Sequence, residues 1–447
     1  MTSKLLHIKQ VCEDLIKKEQ RSLVFEILEF YYPQARTTAD YDVVGALALK
    51  AEHHHMYLQA AIAAYSNANS SEEIFCARIN LYKAYNALNY PDLSMLYVEQ
   101  HLEIEPDSFD AHMQKAFNLA LMNRKTESEE IILSQIAENP KQEETIRYAL
   151  SGQMLRSGRT AEGILNFIDT FKPASQLFEH QLKMQKWCGG AQPGRTIYVN
   201  GEGGVGDEII NIRFFRHLKD LGMNPILFSC WSMYRPDLVD LFRRHGHEVI
   251  TDTYSIKTEH LWTNFMPLPG YLGLSEKDLW KGTYLTPQKD PQRKLQGKKF
   301  KIGIKCNGNP YFSQDIYRCI PIDQLIDHLP KQSDVEIYYF DKEKTHDACV
   351  NMKDRLHTWE HTLDYLDQMD VVISSCTSLV HAAGAMGVRT IVIVPVAEYY
   401  VWTSTRTDNT TPWYGDNFIV LKQTKLRSWN EPLAMMQKLV EHMINER

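Results

Sequence analysis

The chain has 447 residues, of which 44% are hydrophobic and 23% charged, the balance of a folded globular protein and not of a disordered one. Its net charge is −7; residues 1–190 carry 19 basic and 25 acidic side chains and the remainder 30 and 31, so a generally basic nucleic-acid binder is not indicated. No apolar run approaches the roughly 18 residues of a membrane span, and the amino terminus lacks the apolar core of a signal peptide. The eight cysteines are scattered and form no C-x-x-C pair, which reads as reduced thiols and a cytoplasmic setting.

Up to about residue 187 the pattern is helical. Leu, Ala, Glu, Lys and Gln dominate and apolar residues recur at three- to four-residue spacing. Pro106, Pro140 and Pro173 lie 34 and 33 residues apart. That period, with a proline near the end of each second helix, is the one tetratricopeptide repeats show. Ala116, Ala149 and Ala161 fall where close helix crossing needs a small side chain, whereas the first repeat has Tyr82 and Ser94. A degenerate array of about three repeats, with helices upstream, is expected over 1–190. It offers a concave surface for a protein partner, or serves only as a scaffold.

Around Gly189–Gly194 the composition breaks. Beyond it Thr196–Asn200 reads as a strand, 201–206 as a glycine loop, Asp207–Lys219 as a helix and Ile226–Ser229 as the next strand. After the basic stretch Arg293–Lys301 come apolar strands at Phe300–Cys306, Val335–Phe340, Val371–Ser374 and Thr390–Val394. Helices are expected at Ile322–Leu329, Leu363–Met369 and Leu379–Met386. Apolar strands alternating with helices imply parallel sheets covered on both faces. Two Rossmann-like lobes are expected, 191–295 and 296–447, with a cleft between them.

Three segments carry candidate chemistry. Gly201–Gly206 fits G-x-G-x-x-G, which invites a dinucleotide reading. But the second strand ends without a ribose-binding acid, and Asp207 and Glu208 would repel a pyrophosphate at that helix start. The glycines, Gly204 and Gly206 among them, instead bring backbone close to a substrate. Asp207 is either the base that takes a proton from an attacking hydroxyl or simply the cap of its helix. The second segment, Ser374–His381, follows a strand and opens a helix. Its amides, with Ser375, Thr377, Ser378 and Leu379, suit an anion, and His381 can donate a proton or a hydrogen bond to a leaving diphosphate. The third is the polar loop from Lys305 to Arg318, containing Asn307, Asn309 and Asp315. Its cations can offset phosphate charge, although Asp315 and Arg318 can equally form a structural ion pair. Asp341, ending the next strand, is placed to meet a ribose. Residues 191–447 show no D-x-D and no metal-ligand spacing, so neither metal nor other cofactor is expected.

These segments together resemble the ADP-heptose:lipopolysaccharide heptosyltransferase family, especially members joined to tetratricopeptide repeats. The match covers roughly 195–425 and rests on Gly203–Glu208, on Lys305 with Asn307–Pro310, Asp315 and Arg318, on Asp370–Ser374 with Thr377, Ser378 and His381, and on Arg406 with Pro412–Tyr414. Cys376 stands where the family has Asp, so donor identity does not carry over. The resemblance implies a GT-B pair of lobes and inverting, metal-independent transfer from a nucleoside-diphosphate sugar; a UDP-sugar is expected as donor, on grounds other than the resemblance. It also implies Asp207 as base and a diphosphate held before His381. The acceptor hydroxyl lies on a surface glycan or on a protein side chain. A fainter likeness to T-even-like phage glycosyltransferases adds 5-hydroxymethylcytosine in DNA. That acceptor requires a flipped base and a basic rim, for which Arg213, Arg216, Lys219, Arg243, Arg244 and 293–301 are candidates. The opposing reading is a non-enzymatic repeat adaptor with a decayed catalytic half.

Overall fold

The computed structural model describes residues 3–138, 143–168, 183–229, 236–309 and 315–446. It shows helix pairs followed by two parallel sheets flanked by helices, the fold class expected from the sequence. The chain forms two compact units, Met1–Pro140 and Lys141–Arg447.

The first unit contains α1 (Ser3–Lys17), α2 (Arg21–Tyr31), α3 (Thr38–Lys50), α4 (His54–Asn67), α5 (Ser71–Ala87), α6 (Pro91–Leu102), α7 (Phe109–Leu121) and α8 (Lys125–Glu138). Local signals set the helix starts. Thr37 and Asp40 form a capping box ahead of α3, and the Ser70 hydroxyl accepts from the Glu73 amide ahead of α5. Small residues line the crossings: Ala116 is buried in α7, and the buried Ser94 of α6 accepts from the Asn118 amide of α7 at 3.0 Å. Pro106 lies in the turn between α6 and α7; Pro140 and Pro173 fall outside the described residues.

The second unit opens with a further helix pair, α9 (Glu143–Arg156) and α10 (Thr160–Ile168). The sheets do start near the compositional break, but this pair packs with them. A Cβ on Gly270 would lie 2.5 Å from Leu165, and the Phe167 ring sits 5.5 Å from Tyr399 and 5.1 Å from Tyr400. The pair therefore touches both lobes.

The first lobe holds β1 (Gln185–Lys186), β2 (Thr196–Asn200), α11 (Val205–Asn211), α12 (Phe215–Asp220), β3 (Asn224–Phe228), α13 (Pro236–Arg244), β4 (Glu248–Ile250) and β5 (Leu261–Asn264). Its strands run in the order β1-β5-β2-β3-β4, all parallel. The helix expected at Asp207–Lys219 starts two residues earlier and is interrupted by a 3₁₀ turn at Ile212–Phe214.

The second lobe holds β6 (Phe300–Lys305), α14 (Asp315–Arg318), α15 (Ile322–Asp327), β7 (Val335–Tyr339), β8 (Val350–Asn351), α16 (Trp359–Leu366), β9 (Val371–Ser375), α17 (Ser378–Met386), β10 (Thr390–Val394), β11 (Phe418–Lys422) and α18 (Asn430–Asn445). The strand order is β11-β10-β9-β6-β7-β8, again parallel. Every residue of β9 and β10 is buried, as strands covered by helices on both faces must be. Gly387, with φ +76°, ends α17 in the left-handed conformation that glycine adopts most easily. One apolar core runs through the first lobe into one face of the second sheet, while α18 covers a separate core on the other face.

Candidate functional site

Two loops leave parallel strands at their carboxyl ends, where open α/β sheets place ligands. Residues 201–204 connect β2 to α11, and Cys376 and Thr377 connect β9 to α17. The two helix starts abut. A Cβ on Gly206 would lie 2.8 Å from His381 Cδ2 and 3.4 Å from Ser378 Cα, so only glycine lets the lobes close this far.

On the first side Asp207 does cap its helix: Oδ2 accepts from the Gly204 amide at 2.7 Å. Gly203, at φ +75°, makes room for it, since a Cβ there would meet Oδ2 at 2.6 Å. The other oxygen, Oδ1, accepts from the Tyr399 hydroxyl of the second lobe at 2.9 Å. Burial pushes this carboxyl above its ordinary value against the lowering pull of Gly204, Tyr399 and the Arg318 charge. Capping and basicity are compatible, because each oxygen keeps a lone pair beyond the bond it accepts.

Behind Asp207 lies Glu202, 2% exposed, with Oε1 accepting from the Met266 amide at 3.0 Å. Its Oε2 has no partner among the described residues. Burial, with Asp207 adding to it, raises the Glu202 carboxyl to about 7. Nothing in the sequence separated Glu202 from the surrounding glycines.

On the second side the hydroxyls are arranged unevenly. Thr377 is the N-cap of α17 but does not cap it with its side chain; its Oγ1 lies 3.0 Å from Ser374 Oγ. Among the described residues no side chain caps the first amides of α17, from Ser378 and Leu379. The Ser375 hydroxyl is fully buried without a partner among the described residues. His381, 7% exposed, stacks on Trp402 at 5.4 Å, and its Nδ1 lies 2.7 Å from the Tyr414 hydroxyl. Burial, then the charges of Arg213 and Arg318, press its imidazole down to about 3. It is therefore neutral near pH 7, the form that offers a hydrogen bond.

The third segment is only partly joined to this pair. Arg318 binds Asp315 Oδ1 at 2.7 Å and the Cys376 carbonyl at 2.6 Å, so the structural ion pair forms and also sets the guanidinium beside the start of α17. Lys305 donates to Asp341 Oδ2 at 3.0 Å, and Asp341 Oδ1 accepts from the Glu343 and Lys344 amides at 2.9 and 2.8 Å. Burial pushes the Asp341 carboxyl up, but those amides and Lys305 outweigh it and hold it low. Asp341 is thus held by contacts within its own lobe, just beyond the carboxyl end of β7, with Oδ2 keeping a lone pair beyond its bond to Lys305. Asn307 accepts from Tyr339 at 3.5 Å, and Asn309 is exposed; residues 310–314 lie outside the described residues.

Part of the expected basic rim is engaged in structure, while Arg216, Lys219, Arg243, Lys294, Lys298 and Lys299 are exposed. Arg213 is buried, Arg244 pairs with Glu360 at 2.6 Å, and Arg293 pairs with Asp364 at 2.7 Å. Lys301 is buried, with its ammonium on the Gly297 carbonyl at 3.2 Å. Among the described residues no three His, Cys, Asp or Glu side chains are grouped to hold a metal, and no helix is long and apolar enough to cross a membrane.

No family model matches the sequence, and no curated protein matches it. Solved structures do. The iron-containing dodecameric glycosyltransferase TibC of enterotoxigenic E. coli H10407 is 14% identical, over 57% of this chain and 77% of its own, with a TM-score of 0.38. E. coli ADP-heptose LPS heptosyltransferase II is 14% identical over 56% of this chain and 99% of its own, at 0.34. A variant of the Thermobaculum terrenum O-GlcNAc transferase is 13% identical over 100% of this chain and 94% of its own, at 0.33.

Proposed function

We propose that this chain transfers a sugar from a nucleoside-diphosphate sugar to an acceptor hydroxyl. The observation that carries the reading is the meeting of the two helix starts at Gly206. It sets a carboxylate from one lobe against uncapped amides and a neutral imidazole from the other. The donor diphosphate lies on the Ser378 and Leu379 amides, beside Thr377 and His381, with Arg318 at its edge. The acceptor hydroxyl enters from the 201–208 side. Its oxygen attacks the anomeric carbon, the carbon–phosphate-oxygen bond breaks, and Asp207 takes the hydroxyl proton. Amides, His381 and Arg318 stabilise the charge that builds on the departing nucleoside diphosphate.

A hydroxyl on a glycan or on a protein is the favoured acceptor. Hydroxymethylcytosine in DNA needs a rim of free cations, and of the candidates Arg213 and Lys301 are buried while Arg244 and Arg293 pair with Glu360 and Asp364, which leaves the exposed Arg216, Lys219, Arg243, Lys294, Lys298 and Lys299 to supply it. The test is a panel of labelled UDP-, ADP- and GDP-sugars, scored first for hydrolysis and then for transfer to glycans, proteins and modified DNA. One donor class is expected to turn over. A Thr377→Ala/His381→Ala double variant is expected to lose nucleoside-diphosphate binding, and unimpaired turnover in that variant would end the proposal. An adaptor with a decayed catalytic half would turn over no donor and bind no nucleoside diphosphate.

A further inference from the structure

The Tyr399 hydroxyl donates to Asp207 Oδ1 at 2.9 Å, so the second lobe supplies a bond that holds the first lobe's carboxylate. A phenol hydroxyl sits at the far end of a rigid ring. Where the ring rests decides where the hydroxyl reaches, so whatever touches the ring also acts on Asp207.

The ring is met by a third element. Phe167, on α10, stands edge-on to Tyr399, with centroids 5.5 Å apart and planes at 85°, and lies 5.1 Å from Tyr400. Tyr399 and Tyr400 are themselves 4.7 Å apart, and Tyr148 of α9 stacks on Phe167 at 5.3 Å. Edge-to-face contact at such separations is a favoured aromatic geometry.

Close backbone approaches leave α10 little room to shift. Gly163 brings it onto α9: a Cβ there would lie 2.7 Å from Leu155 Cγ and 3.0 Å from the Ser151 carbonyl oxygen. Gly270 brings the short first-lobe helix Leu268–Tyr271 onto α10, where a Cβ would lie 2.5 Å from Leu165 Cγ and 3.0 Å from the Ala161 carbonyl oxygen. Surfaces packed this closely transmit a displacement instead of absorbing it. At the other end of the pair, a Cβ on Gly158 would lie 3.4 Å from Thr405 Cγ2, and the Glu398 charge acts on Arg156 of α9. The pair is thus anchored on the lobe that bears Asp207 and presses on the segment of the other lobe that reaches Asp207.

We propose that Phe167 is a positioning residue: it seats the Tyr399 ring so that the hydroxyl holds Asp207 in line for the acceptor. The last helix pair ahead of the sheets then sets the alignment of the proton acceptor as well as supporting the lobes. A contact that served packing alone would lower stability and leave the titration of the carboxylate untouched. The effect on turnover rests on the glycosyltransferase reading; the seating of Tyr399 does not.

The first test needs no substrate. 3-Fluorotyrosine is placed at position 399 of the full chain and its ¹⁹F resonance is followed. Phe167→Leu keeps apolar bulk on α10 but removes the ring, and is expected to shift and broaden the resonance. Phe167→Tyr keeps the ring and is expected to leave the resonance near its original place. The second test reads turnover. Phe167→Leu and Tyr399→Phe are each expected to lower kcat about tenfold, with nucleoside-diphosphate affinity changed by less than about twofold. Together they are expected to cost little more than either alone, since both break one contact chain. The Tyr399 bond lowers the Asp207 pKa, so its loss is expected to move the acidic limb of kcat/KM to higher pH in both variants. An unmoved ¹⁹F resonance in Phe167→Leu overturns the proposal. So does a fall in Tm with kcat and the acidic limb unchanged. A resonance that moves in a protein that turns over no donor ends the glycosyltransferase reading and leaves the seating of Tyr399 standing.

Discussion

The loops before α11 and α17 occupy equivalent places, each at the carboxyl end of a parallel strand, yet they present opposite chemistry. The first carries carboxylates, Glu202 and Asp207, and burial raises both. The second carries a histidine, and burial lowers it to about 3. In each case desolvation works against the charged form, so the junction holds less formal charge than the residue list suggests. Its polarity comes instead from amides, hydroxyls and Arg318. A shared topology thus brings two helix starts together, while the side chain at each decides which charge burial disfavours there.

The strongest way to break this contrast is Asp207→Asn. Asn still accepts the Gly204 amide, so the cap survives, but the base is gone. Turnover is expected to fall about 10²–10⁴-fold with nucleoside-diphosphate affinity nearly unchanged, read from kcat and from calorimetric titration. A parallel loss of affinity would mean that Asp207 organises the donor side instead.

Glu202→Gln sharpens the contrast through stability. The folded carboxyl titrates near 7 and the unfolded one near its ordinary 4.5, so the folded state binds the extra proton between those values. Stability contributed at low pH is therefore lost as pH rises through that window, by about 3 kcal/mol in total. Urea midpoints at pH 5 and pH 8 are expected to differ less in Glu202→Gln than in the wild type, with the variant gaining at pH 8.

Gly206→Ala addresses the contact between the two starts. The added methyl meets His381 Cδ2 at 2.8 Å. Overpacking of this kind costs about 1–3 kcal/mol, and is expected to appear as weaker nucleotide binding with a modest fall in Tm. The smallest effect is expected from Arg244→Ala. Its pair with Glu360 joins the lobes at a partly exposed edge, so a loss of about 0.2–1 kcal/mol is expected, fading in high salt. A larger, salt-independent loss would show that this edge controls the closure of the lobes.

Much of the second unit was legible because its strands are continuous apolar runs. Thr196–Asn200 and Thr390–Val394 form where the sequence places them. The strand at 371 runs one residue further than expected, and the helix expected at Leu363–Met369 begins at Trp359, where Thr358 caps it. Short strands such as β4 and β8 escaped because two or three residues carry no measurable periodicity. At the site, Thr377, Ser378, His381, Gly206 and Asp207 were visible as residue types at strand–helix junctions. Tyr399, Glu202 and the buried Arg213 were not. Tyr399 reaches Asp207 across 192 positions of sequence, and Arg213 reaches the Trp413 carbonyl across 200. Local spacing holds no record of such partners.

The sequence by itself determined two parallel-sheeted lobes behind helix pairs, and singled out the two strand–helix junctions that meet at Gly206. Hydrophobic runs and glycines act over a few residues, and those determinants are local. Only the tertiary structure decided the protonation of the groups involved: a neutral His381, a raised Asp207, and Lys305 and Arg293 spent on internal carboxylates. Those states depend on desolvation and on charges brought together from distant segments, which exist only once the chain has folded.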